Sequence, residues 1–348
     1  MFVPLASLLV VLISAAIGFD QIAIETGGGT KPLVFIAGSL SDADVVALSR
    51  SAPNVTIVQV RSAGDAIEHA PNAHGIDARF ATTDVLRAAP NLVWVQSSSA
   101  GVERYLVVEA LRENDAIVLT NMQGVHGPTI AEHAFAMLLT LTRNLQEYTN
   151  PETKGSWRRS RRASIALNGK TIFVVGLGGI GSEVAKIGNG FGMRVLATRR
   201  SEKPKPHYVD EQGLPGDLDR FLGEADVVVL SVPLTDETRG MIGTEQLALM
   251  KEGAYLINVA RGPVVDTDAL VDSLESGHLA GACLDVTDPE PLPKDHPLWS
   301  FENVIITPHV SGRSELTSKV WKETYLENIR RFAAGEPLLN VVDKAAGY

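Results

Sequence analysis

The chain has 348 residues, of which 45% are hydrophobic and 21% are charged. This length and composition predict an ample core and more than one domain, because a single core stops growing near about 250–300 residues. The formal net charge of -10 argues against a general nucleic-acid binder, since such proteins neutralise phosphates with a basic face. The single cysteine, Cys283, excludes an intramolecular disulfide and lies in an apolar run, which predicts a buried thiol.

Residues 2–19 are almost wholly apolar and uncharged, as in the apolar part of a secretory signal, although no lysine or arginine precedes them. Their length is also at the short limit for a membrane span. A polar, glycine-rich stretch at residues 25–31 follows and indicates a linker. We therefore interpret residues 1–30 as an extension and expect the folded domains, which begin near Lys31, not to insert stably into a membrane. An exported protein and a mis-set start site both fit the extension.

The next part of the chain alternates apolar strands with helical stretches. Predicted strands lie at residues 33–37, 55–60, 92–96 and 116–119, and the first helix lies at residues 42–51. Strands separated by helices indicate a parallel sheet. Residues 128–148 predict one long helix that is apolar on most faces, so we expect another domain or subunit to cover it.

Residues 171–175 predict an apolar strand, which leads into a Gly-x-Gly-x-x-Gly turn and then into a helix predicted at residues 182–189. In such a turn Gly176 permits the tight bend, Gly178 lets the backbone approach a pyrophosphate, and Gly181 allows close helix packing. The amides at the start of the helix favour an anion. We therefore predict a dinucleotide site at the glycine cradle, formed by Gly176, Gly178, Gly179, Ile180 and Gly181.

Five further strands, predicted at residues 194–197, 227–231, 254–259, 283–286 and 304–307, complete a doubly wound sheet, and residues 315–334 predict a final helix. Ligands bind such sheets at the carboxyl ends of the strands. Arg261, Glu290 and His309 follow three of these strands. Taken singly, each also fits a bland role: an arginine paired with Asp266, a solvated glutamate and a structural histidine.

Together, Arg261, Glu290 and His309 resemble the catalytic set of the D-isomer-specific 2-hydroxyacid dehydrogenases. The resemblance extends from about Lys31 to the C-terminus, and its most specific motifs are the glycine cradle and residues 258–266, 290–293, 296–299 and 307–309. It implies two Rossmann-like α/β domains with parallel sheets and the active site in the cleft between them. Residues 31–126 with 311–348 would form the substrate domain, and residues 127–310 the dinucleotide-binding domain.

The resemblance also implies roles for individual residues. Arg261 would orient a 2-oxo acid, a nicotinamide would deliver hydride, His309 would donate the proton, and Glu290 would stabilise the imidazolium. Backbone amides of Ala100 and Gly101 would bind the substrate carboxylate, with an ordinary turn as the alternative. Asp285 would contact the nicotinamide amide, and the segment containing Val232 and Pro233 would line the dinucleotide groove. Glu103 fills the place where the family usually has an acidic residue.

The residue that follows the second strand of the cofactor domain indicates the cofactor. NAD-preferring folds place Asp or Glu about 20 residues after the cradle, whereas this chain has Arg199 there. Arg199, Arg200 and Ser201 would bind a ribose phosphate, so we predict a preference for NADP(H), with NAD possible. Arginines that stack on adenine or face water are the alternative.

We therefore predict a reductase of a small 2-oxo acid, with glyoxylate or hydroxypyruvate leading, that forms a D-2-hydroxy acid. The alternatives are a corepressor-like dinucleotide sensor, for which the arginine run at residues 158–162 is a candidate contact, and a dehydrogenase of another small anion such as formate or phosphite. The eight histidines show no metal-ligand spacing, so we predict no metal. The resemblance implies a homodimer with a contact at residues 130–141. Abundant dinucleotide favours a cytoplasmic location, and export is the alternative.

Overall fold

The computed structural model describes residues 32–150, 155, 157, 159–160 and 162–348. The predicted extension at residues 1–30, together with Arg158 and Arg161 of the arginine run, lies outside the described residues. The described chain folds into two α/β domains, each built on one parallel sheet, which confirms the predicted fold class. No helix within the described residues is long and apolar enough to cross a membrane.

The first domain contains a five-stranded parallel sheet in the order β2-β1-β3-β4-β5. Its strands are β1 (Leu33–Ala37), β2 (Val55–Gln59), β3 (Gly75–Asp77), β4 (Trp94–Gln96) and β5 (Val118–Thr120), and its helices are α1 (Asp42–Ser51), α2 (Ala63–His69), α3 (Thr83–Ala88), α4 (Glu103–Leu106) and α5 (Glu109–Arg112). Serine and threonine caps fix where α1, α2 and α3 begin, because their side chains accept from first-turn amides.

The chain then enters the second domain through α6 (Gly127–Thr142) and α7 (Leu145–Thr149). A seven-stranded parallel sheet follows, in the order β12-β11-β10-β9-β6-β7-β8. Its strands are β6 (Thr171–Val175), β7 (Arg194–Thr198), β8 (Glu211–Gly213), β9 (Val227–Leu230), β10 (Ala254–Asn258), β11 (Leu279–Leu284) and β12 (Val304–Ile306), and its helices are α8 (Gly179–Gly190), α9 (Leu218–Glu224), α10 (Thr244–Leu249) and α11 (Thr267–Glu275).

Helices cover both faces of the second sheet. The strands are buried on both sides, as expected when crossover helices pack on each face. The apolar side chains of α6 and α8 pack on one face, and those of α9, α10 and α11 pack on the other. Cys283 lies in the first of these cores, fully buried, and burial raises the pKa of its thiol above the usual range.

The last helix, α12 (Glu315–Ala334), returns to the first domain and packs beside α1. Its side chains Tyr325 and Phe332 meet Phe35 of β1 and Trp94 of β4 in an aromatic cluster, with Phe35 and Trp94 ring centroids 4.8 Å apart. Burial of such large rings stabilises the domain and joins the two ends of the chain in one core. The helix ends at Gly335, whose φ of 66° suits glycine.

The prediction of one long helix covered by another domain or subunit needs correction. The long helix predicted at residues 128–148 is two helices, α6 and α7, because buried Asn144 adopts a left-handed φ of 56° and ends the first of them. Among the described residues, the apolar side chains of α6 lie in the core of its own domain, and Thr129 at its start contacts Ser314 and Thr317. The side chains of Ile130 and Leu141 are buried within the protomer, whereas Glu132 and Ala136 of the same helix are exposed, and the homodimer with its contact at residues 130–141 stays a prediction.

The strand prediction missed β3 and β8 and shifted β11. β3 and β8 have three residues each, and Gly-Ile-Asp and Glu-Gln-Gly carry little strand propensity. β11 begins at Leu279 rather than at residue 283. Three of its first four residues, Leu-Ala-Gly-Ala, are small and fit where neighbouring chain segments pack closely. A Cβ added at Gly281 would lie 2.5 Å from the carbonyl oxygen of Asn303.

The two chain crossings between the domains touch each other. A Cβ added at Gly312 would lie 3.1 Å from the Cδ2 atom of His126. Thr129 and Ser314 also bring their hydroxyl oxygens within 2.8 Å of each other. A Cβ added at Gly127 would lie 2.9 Å from the carbonyl oxygen of Gly179, so this joint rests directly on the glycine cradle.

Candidate active site between the two domains

The glycine cradle has the geometry that a bound pyrophosphate requires. Gly176 has a φ of 99°, and a Cβ there would lie 2.8 Å from Val232 Cγ1. A Cβ at Gly181 would lie 2.0 Å from the carbonyl oxygen of Gly176. A Cβ at Gly178 would meet nothing within 4 Å, so this glycine faces open space. Two of the glycines are therefore needed for packing and the third for access.

The start of α8 supplies the hydrogen-bond donors of this cradle. Among the described residues, the amides of Gly179, Ile180 and Gly181 donate to no protein acceptor, because they begin the helix. Unpaired amides and the positive end of the helix dipole favour an anion. The cradle therefore fits the pyrophosphate of a dinucleotide.

The residues that we predicted to bind a ribose phosphate follow the end of β7. Its carbonyl at Thr198 accepts hydrogen bonds from the amides of Gly176 and Leu177, at 3.2 and 2.8 Å, which ties this strand end to the cradle. Arg199 is half-buried, and within the part of the chain that the structure describes its guanidinium has no ion pair. Burial lowers the pKa of Arg199 from its usual value. Arg200 and Ser201 are exposed beside it.

The loop after β9 borders the cradle on its other side. The Ser231 hydroxyl donates to the carbonyl oxygen of Gly176 at 2.8 Å, which places the half-buried Val232 and Pro233 next to the cradle. The Thr238 hydroxyl donates to the carbonyl oxygen of Pro233 at 2.7 Å and closes the loop. The predicted groove residues therefore lie beside the predicted phosphate site.

Arg261 follows β10 and is held by its own segment. The buried Asn258 accepts from the amide of Ala260 at 3.0 Å and donates to the carbonyl oxygen of Arg261 at 2.9 Å. Gly262 allows the chain to pass close to the loop after β11, because a Cβ there would lie 1.9 Å from the carbonyl oxygen of Thr287. The backbone around Arg261 is therefore held by contacts that do not involve the Arg261 side chain.

The Arg261 side chain reaches the first domain. Its Nε donates to Glu103 Oε1 at 2.6 Å, and its Nη1 donates to the carbonyl oxygen of Ala260 at 2.7 Å. Burial acts to raise the pKa of Glu103, but the charge and hydrogen bond of Arg261 outweigh it, so the pKa lies below the usual value. Among the described residues, Nη2 makes no hydrogen bond and faces Gly101. The pairing with Asp266, considered above, is replaced by one with Glu103.

The turn after β4 offers backbone donors next to that Nη2 group. The amides of Ala100 and Gly101 donate to no acceptor in the described part of the chain. The Asn121 side chain fixes the turn by donating to the carbonyl oxygen of Ala100 at 2.9 Å. A Cβ at Gly101 would lie 1.9 Å from Arg261 Nη2, so only glycine lets the guanidinium approach this closely. Two amides and a guanidinium edge therefore converge where a carboxylate would bind.

His309 and Glu290 form a pair on the neighbouring strand ends. Glu290 Oε1 lies 2.8 Å from His309 Nδ1, and both side chains are nearly half exposed, so solvent and ligands can reach them. His309 has a φ of 53°, a left-handed conformation that is costly for histidine. Because β12, β11 and β10 are adjacent and parallel, His309, Glu290 and Arg261 lie at the same edge of the second sheet.

Asp285 is buried, unlike the exposed His309–Glu290 pair. Its side chain is 1% exposed, and its oxygens accept from the Thr307 hydroxyl at 2.6 Å and from the amides of Val310 and Ser311 at 2.9 and 3.0 Å. The amide of His309 in turn donates to the carbonyl oxygen of Asp285 at 2.9 Å. Asp285 therefore anchors the segment that carries His309, and its predicted contact with a nicotinamide amide stays a prediction.

The sequence interpretation gave no role to several residues that build this site. Trp321 of α12 donates from its indole to the carbonyl oxygen of Ser98 at 2.9 Å and so supports the turn after β4. Asn258 and Asn121 orient Arg261 and Ala100. Of these residues, only the two buried asparagines at strand ends, Asn258 in β10 and Asn121 after β5, carried a usable signal, because a buried amide needs hydrogen-bond partners.

The arrangement has the parts for binding and protonating a small oxo anion. The Arg261 guanidinium and the turn at Ala100 and Gly101 can hold a carboxylate by charge-assisted hydrogen bonds. The His309 imidazole, paired with a carboxylate on Nδ1, leaves Nε2 to give or take a proton. Among the described residues, no group of His, Cys, Asp or Glu could hold a metal ion.

Comparisons with known proteins agree with this geometry. Residues 135–311 match the family described as "D-isomer specific 2-hydroxyacid dehydrogenase, NAD binding domain". A glyoxylate reductase from Korarchaeum cryptofilum is 39% identical over 268 residues, which cover 75% of this chain and 79% of the relative.

Two solved structures also resemble the chain. A D-isomer specific 2-hydroxyacid dehydrogenase from Xanthobacter autotrophicus, in complex with NADPH and MES, is 30% identical with a TM-score of 0.76 and covers 91% of this chain and 100% of its own. An NADPH-dependent glyoxylate/hydroxypyruvate reductase from Sinorhizobium meliloti, in complex with NADP and sulfate, is 28% identical with a TM-score of 0.74 and covers the same shares. The chain therefore belongs to the D-isomer specific 2-hydroxyacid dehydrogenase family and is an NAD(P)-dependent enzyme of that family.

Proposed function

We propose that this enzyme is an NADPH-preferring reductase of a small 2-oxo acid, with glyoxylate and hydroxypyruvate as the leading substrates and a D-2-hydroxy acid as the product. The observation that carries the proposal is the His309–Glu290 pair, 2.8 Å apart, at the same sheet edge as Arg261. The names of relatives that reduce glyoxylate or hydroxypyruvate support the substrate class.

In this proposal each side chain acts on one part of the substrate. Arg261 and the amides of Ala100 and Gly101 bind the carboxylate and so fix the orientation of the 2-oxo group. A bound reduced nicotinamide supplies the hydride. His309 donates a proton to the carbonyl oxygen as negative charge develops there, and Glu290 stabilises the imidazolium and sets which ring nitrogen faces the substrate.

The Arg199 guanidinium supports the cofactor preference. It forms no ion pair with the residues that the structure describes, and burial lowers its pKa, so a bound anion would stabilise its charge. A ribose phosphate at the end of β7 would supply it, whereas two ribose hydroxyls would not. We expect wild-type enzyme to use NADPH more efficiently than NADH.

Steady-state oxidation of NADPH with glyoxylate or hydroxypyruvate tests the proposed reaction. We expect His309→Ala to lose about 10²- to 10⁴-fold in kcat, the usual contribution of a positioned general acid, while its Kd for NADPH stays near the wild-type value. His69→Ala, at an exposed position on α2, is the matched control. Wild-type turnover by His309→Ala, or tight NADPH binding by wild-type enzyme without turnover of any 2-oxo acid, would contradict the proposal.

Comparing kcat/KM for NADPH and NADH tests the cofactor preference separately. Arg199→Ala should lower the ratio of the two efficiencies, whereas Arg194→Ala should not. Arg194 lies at the start of β7, which Arg199 follows, but it pairs with Glu211 and Glu224 at the surface. A clear NADH preference of the wild-type enzyme would refute the assignment of NADP(H).

A further inference from the structure

Tyr348 brings a side chain from the first domain to the ribose end of the cofactor site. The Arg200 guanidinium carbon lies 4.6 Å from the centroid of the Tyr348 ring. Arg200 directly follows Arg199 at the end of β7, the position that receives the adenosine ribose in dinucleotide-binding sheets. The ring and the guanidinium therefore form a cation–π contact at the place where the adenosine ribose of the cofactor would bind.

The segment at residues 343–348 is firmly held, so the position of the ring is not incidental. The Lys344 ammonium donates to the carbonyl oxygens of Leu111, Asn114 and Ile117 at 3.1, 2.6 and 3.1 Å, all in the first domain. Asp343 accepts from the amides of Ala346, Gly347 and Tyr348 and closes the segment into a turn. The contact with Arg200 thus joins the two domains.

The same segment lies against the loop after β9. A Cβ added at Gly347 would lie 3.9 Å from Thr235 Cγ2, which is ordinary van der Waals distance. Tyr348 is therefore held between the end of β7 and the loop that carries Val232 and Pro233. Burial raises the pKa of the Tyr348 phenol although the charge of Arg200 opposes it, so the ring is neutral at neutral pH and attracts the cation through its face.

Stacking leaves the donors of Arg200 available. The contact with the ring uses the cation and not its N–H groups, and within the described part of the chain these N–H groups donate to no acceptor, so a phosphate can accept from them. Arg200 has no ion pair among the described residues, although the exposed Glu237, whose pKa is lowered by a hydrogen bond from Thr235 and less strongly by the charge of Arg200, lies within its electrostatic range. An exposed arginine loses rotamer freedom when it binds an anion, and a ring that orders it beforehand reduces that loss.

We propose that Tyr348 is a specificity-determining residue of the cofactor site, which holds the Arg200 guanidinium ready for the 2′-phosphate of NADP(H). The inference rests on the proposed NADP(H) preference. It assigns to Tyr348 a positioning role, exerted through Arg200, and it predicts that Tyr348 matters for cofactors with a 2′-phosphate and not for those without.

Binding measurements on the full chain test this inference without turnover. Calorimetric Kd values are measured for NADP⁺, NAD⁺, 2′,5′-ADP and 5′-AMP with wild-type enzyme, Tyr348→Ala and Tyr348→Phe. We expect Tyr348→Ala to weaken NADP⁺ and 2′,5′-ADP by about 3- to 10-fold, the range of a partly exposed cation–π contact, and to leave NAD⁺ and 5′-AMP unchanged. Tyr348→Phe, which retains the ring, should bind like wild type.

A double-mutant cycle shows whether the effect passes through Arg200. In the Arg200→Ala background, Tyr348→Ala should cause no further loss of NADP⁺ affinity. Equal losses for NADP⁺ and NAD⁺, tighter NADP⁺ binding by Tyr348→Ala, or full additivity in the cycle would overturn the inference. If wild-type enzyme instead fails to prefer 2′,5′-ADP over 5′-AMP, the proposed NADP(H) preference fails first, and the two failures are thereby distinguished.

Discussion

Replacement of Gly101 by alanine is expected to displace the Arg261 guanidinium without unfolding the protein. The added Cβ would lie 1.9 Å from Arg261 Nη2 and 2.6 Å from Glu103 Oε2. Both atoms are the ends of flexible side chains, and Gly101 is not among the glycines with positive φ. The backbone therefore accepts alanine, and the guanidinium has to move instead.

The size of the displacement follows from the contact distance. Ordinary van der Waals contact begins near 3.4 Å, so Nη2 must retreat by about 1.5 Å from its 1.9 Å position. A misplacement of about 1 Å in a substrate-positioning group costs roughly 10²-fold in rate. We therefore expect kcat/KM for the 2-oxo acid to fall by roughly 10²-fold, or about 2.7 kcal/mol of transition-state stabilisation.

The assay separates this effect from general damage. kcat/KM for glyoxylate, the inhibition constant of oxamate as an unreactive 2-oxo acid analogue, Kd for NADPH and Tm are measured for Gly101→Ala and for Gly190→Ala. Gly190 is exposed at the end of α8 and an added Cβ there meets nothing within 4 Å, so it is the matched control. Only Gly101→Ala should lose efficiency and oxamate affinity, with NADPH affinity retained. A Gly101→Ala enzyme within about twofold of wild type would refute the assignment of Arg261 and this turn to the carboxylate.

Three further outcomes follow from the structure. Gly178→Ala should leave Tm unchanged and weaken NADPH binding, because the added Cβ would enter the open space of the cradle. Gly181→Ala should lower Tm, because the added Cβ would lie 2.0 Å from the backbone oxygen of Gly176. The reverse pattern in thermal melts and cofactor titrations would be inconsistent with the cradle. The pKa of the Glu103 carboxyl is lower in the folded protein than its unfolded value of about 4.3, so its ion pair should stabilise the protein fully above that pH. This stabilisation should be lost as the pH falls through the pKa of the folded state. The difference in Tm between wild type and Glu103→Gln, measured against pH, should therefore disappear only in acid. Cys283, whose thiol pKa is raised by burial, should react with a thiol reagent only after unfolding, and fast labelling of the native protein would contradict its place in the core.

The regular parts of the fold were predictable because their sequences carry strong local patterns. β1, β6, α1 and α12 match the predicted residues 33–37, 171–175, 42–51 and 315–334, since apolar strands and capped helices have clear boundaries. β3 and β8 could not be predicted in this way, because three polar or glycine-containing residues become a strand only through their neighbours in the sheet. The break at Asn144 also depends on tertiary structure, since its side chain donates to the carbonyl oxygen of Arg162.

The candidate site was predictable as a set of residue types but not as a set of contacts. Arg261, Glu290 and His309 follow strand ends, which the chain order alone indicates. The contact between Arg261 and Glu103 joins residues 158 positions apart in two domains, and the contact between Arg200 and Tyr348 likewise depends on how the domains meet. No local pattern encodes such pairs, so they appear only once both sheets are in place.

The joint between the domains has a consequence for how the two ligands act on each other. Its two connections touch at His126 and Gly312, and the first of them rests on Gly179. The connections between the domains therefore lie against the backbone amides that would receive the pyrophosphate. We therefore expect a dinucleotide bound in the cradle to restrict movement of these connections and, through them, of the substrate-binding turn in the first domain.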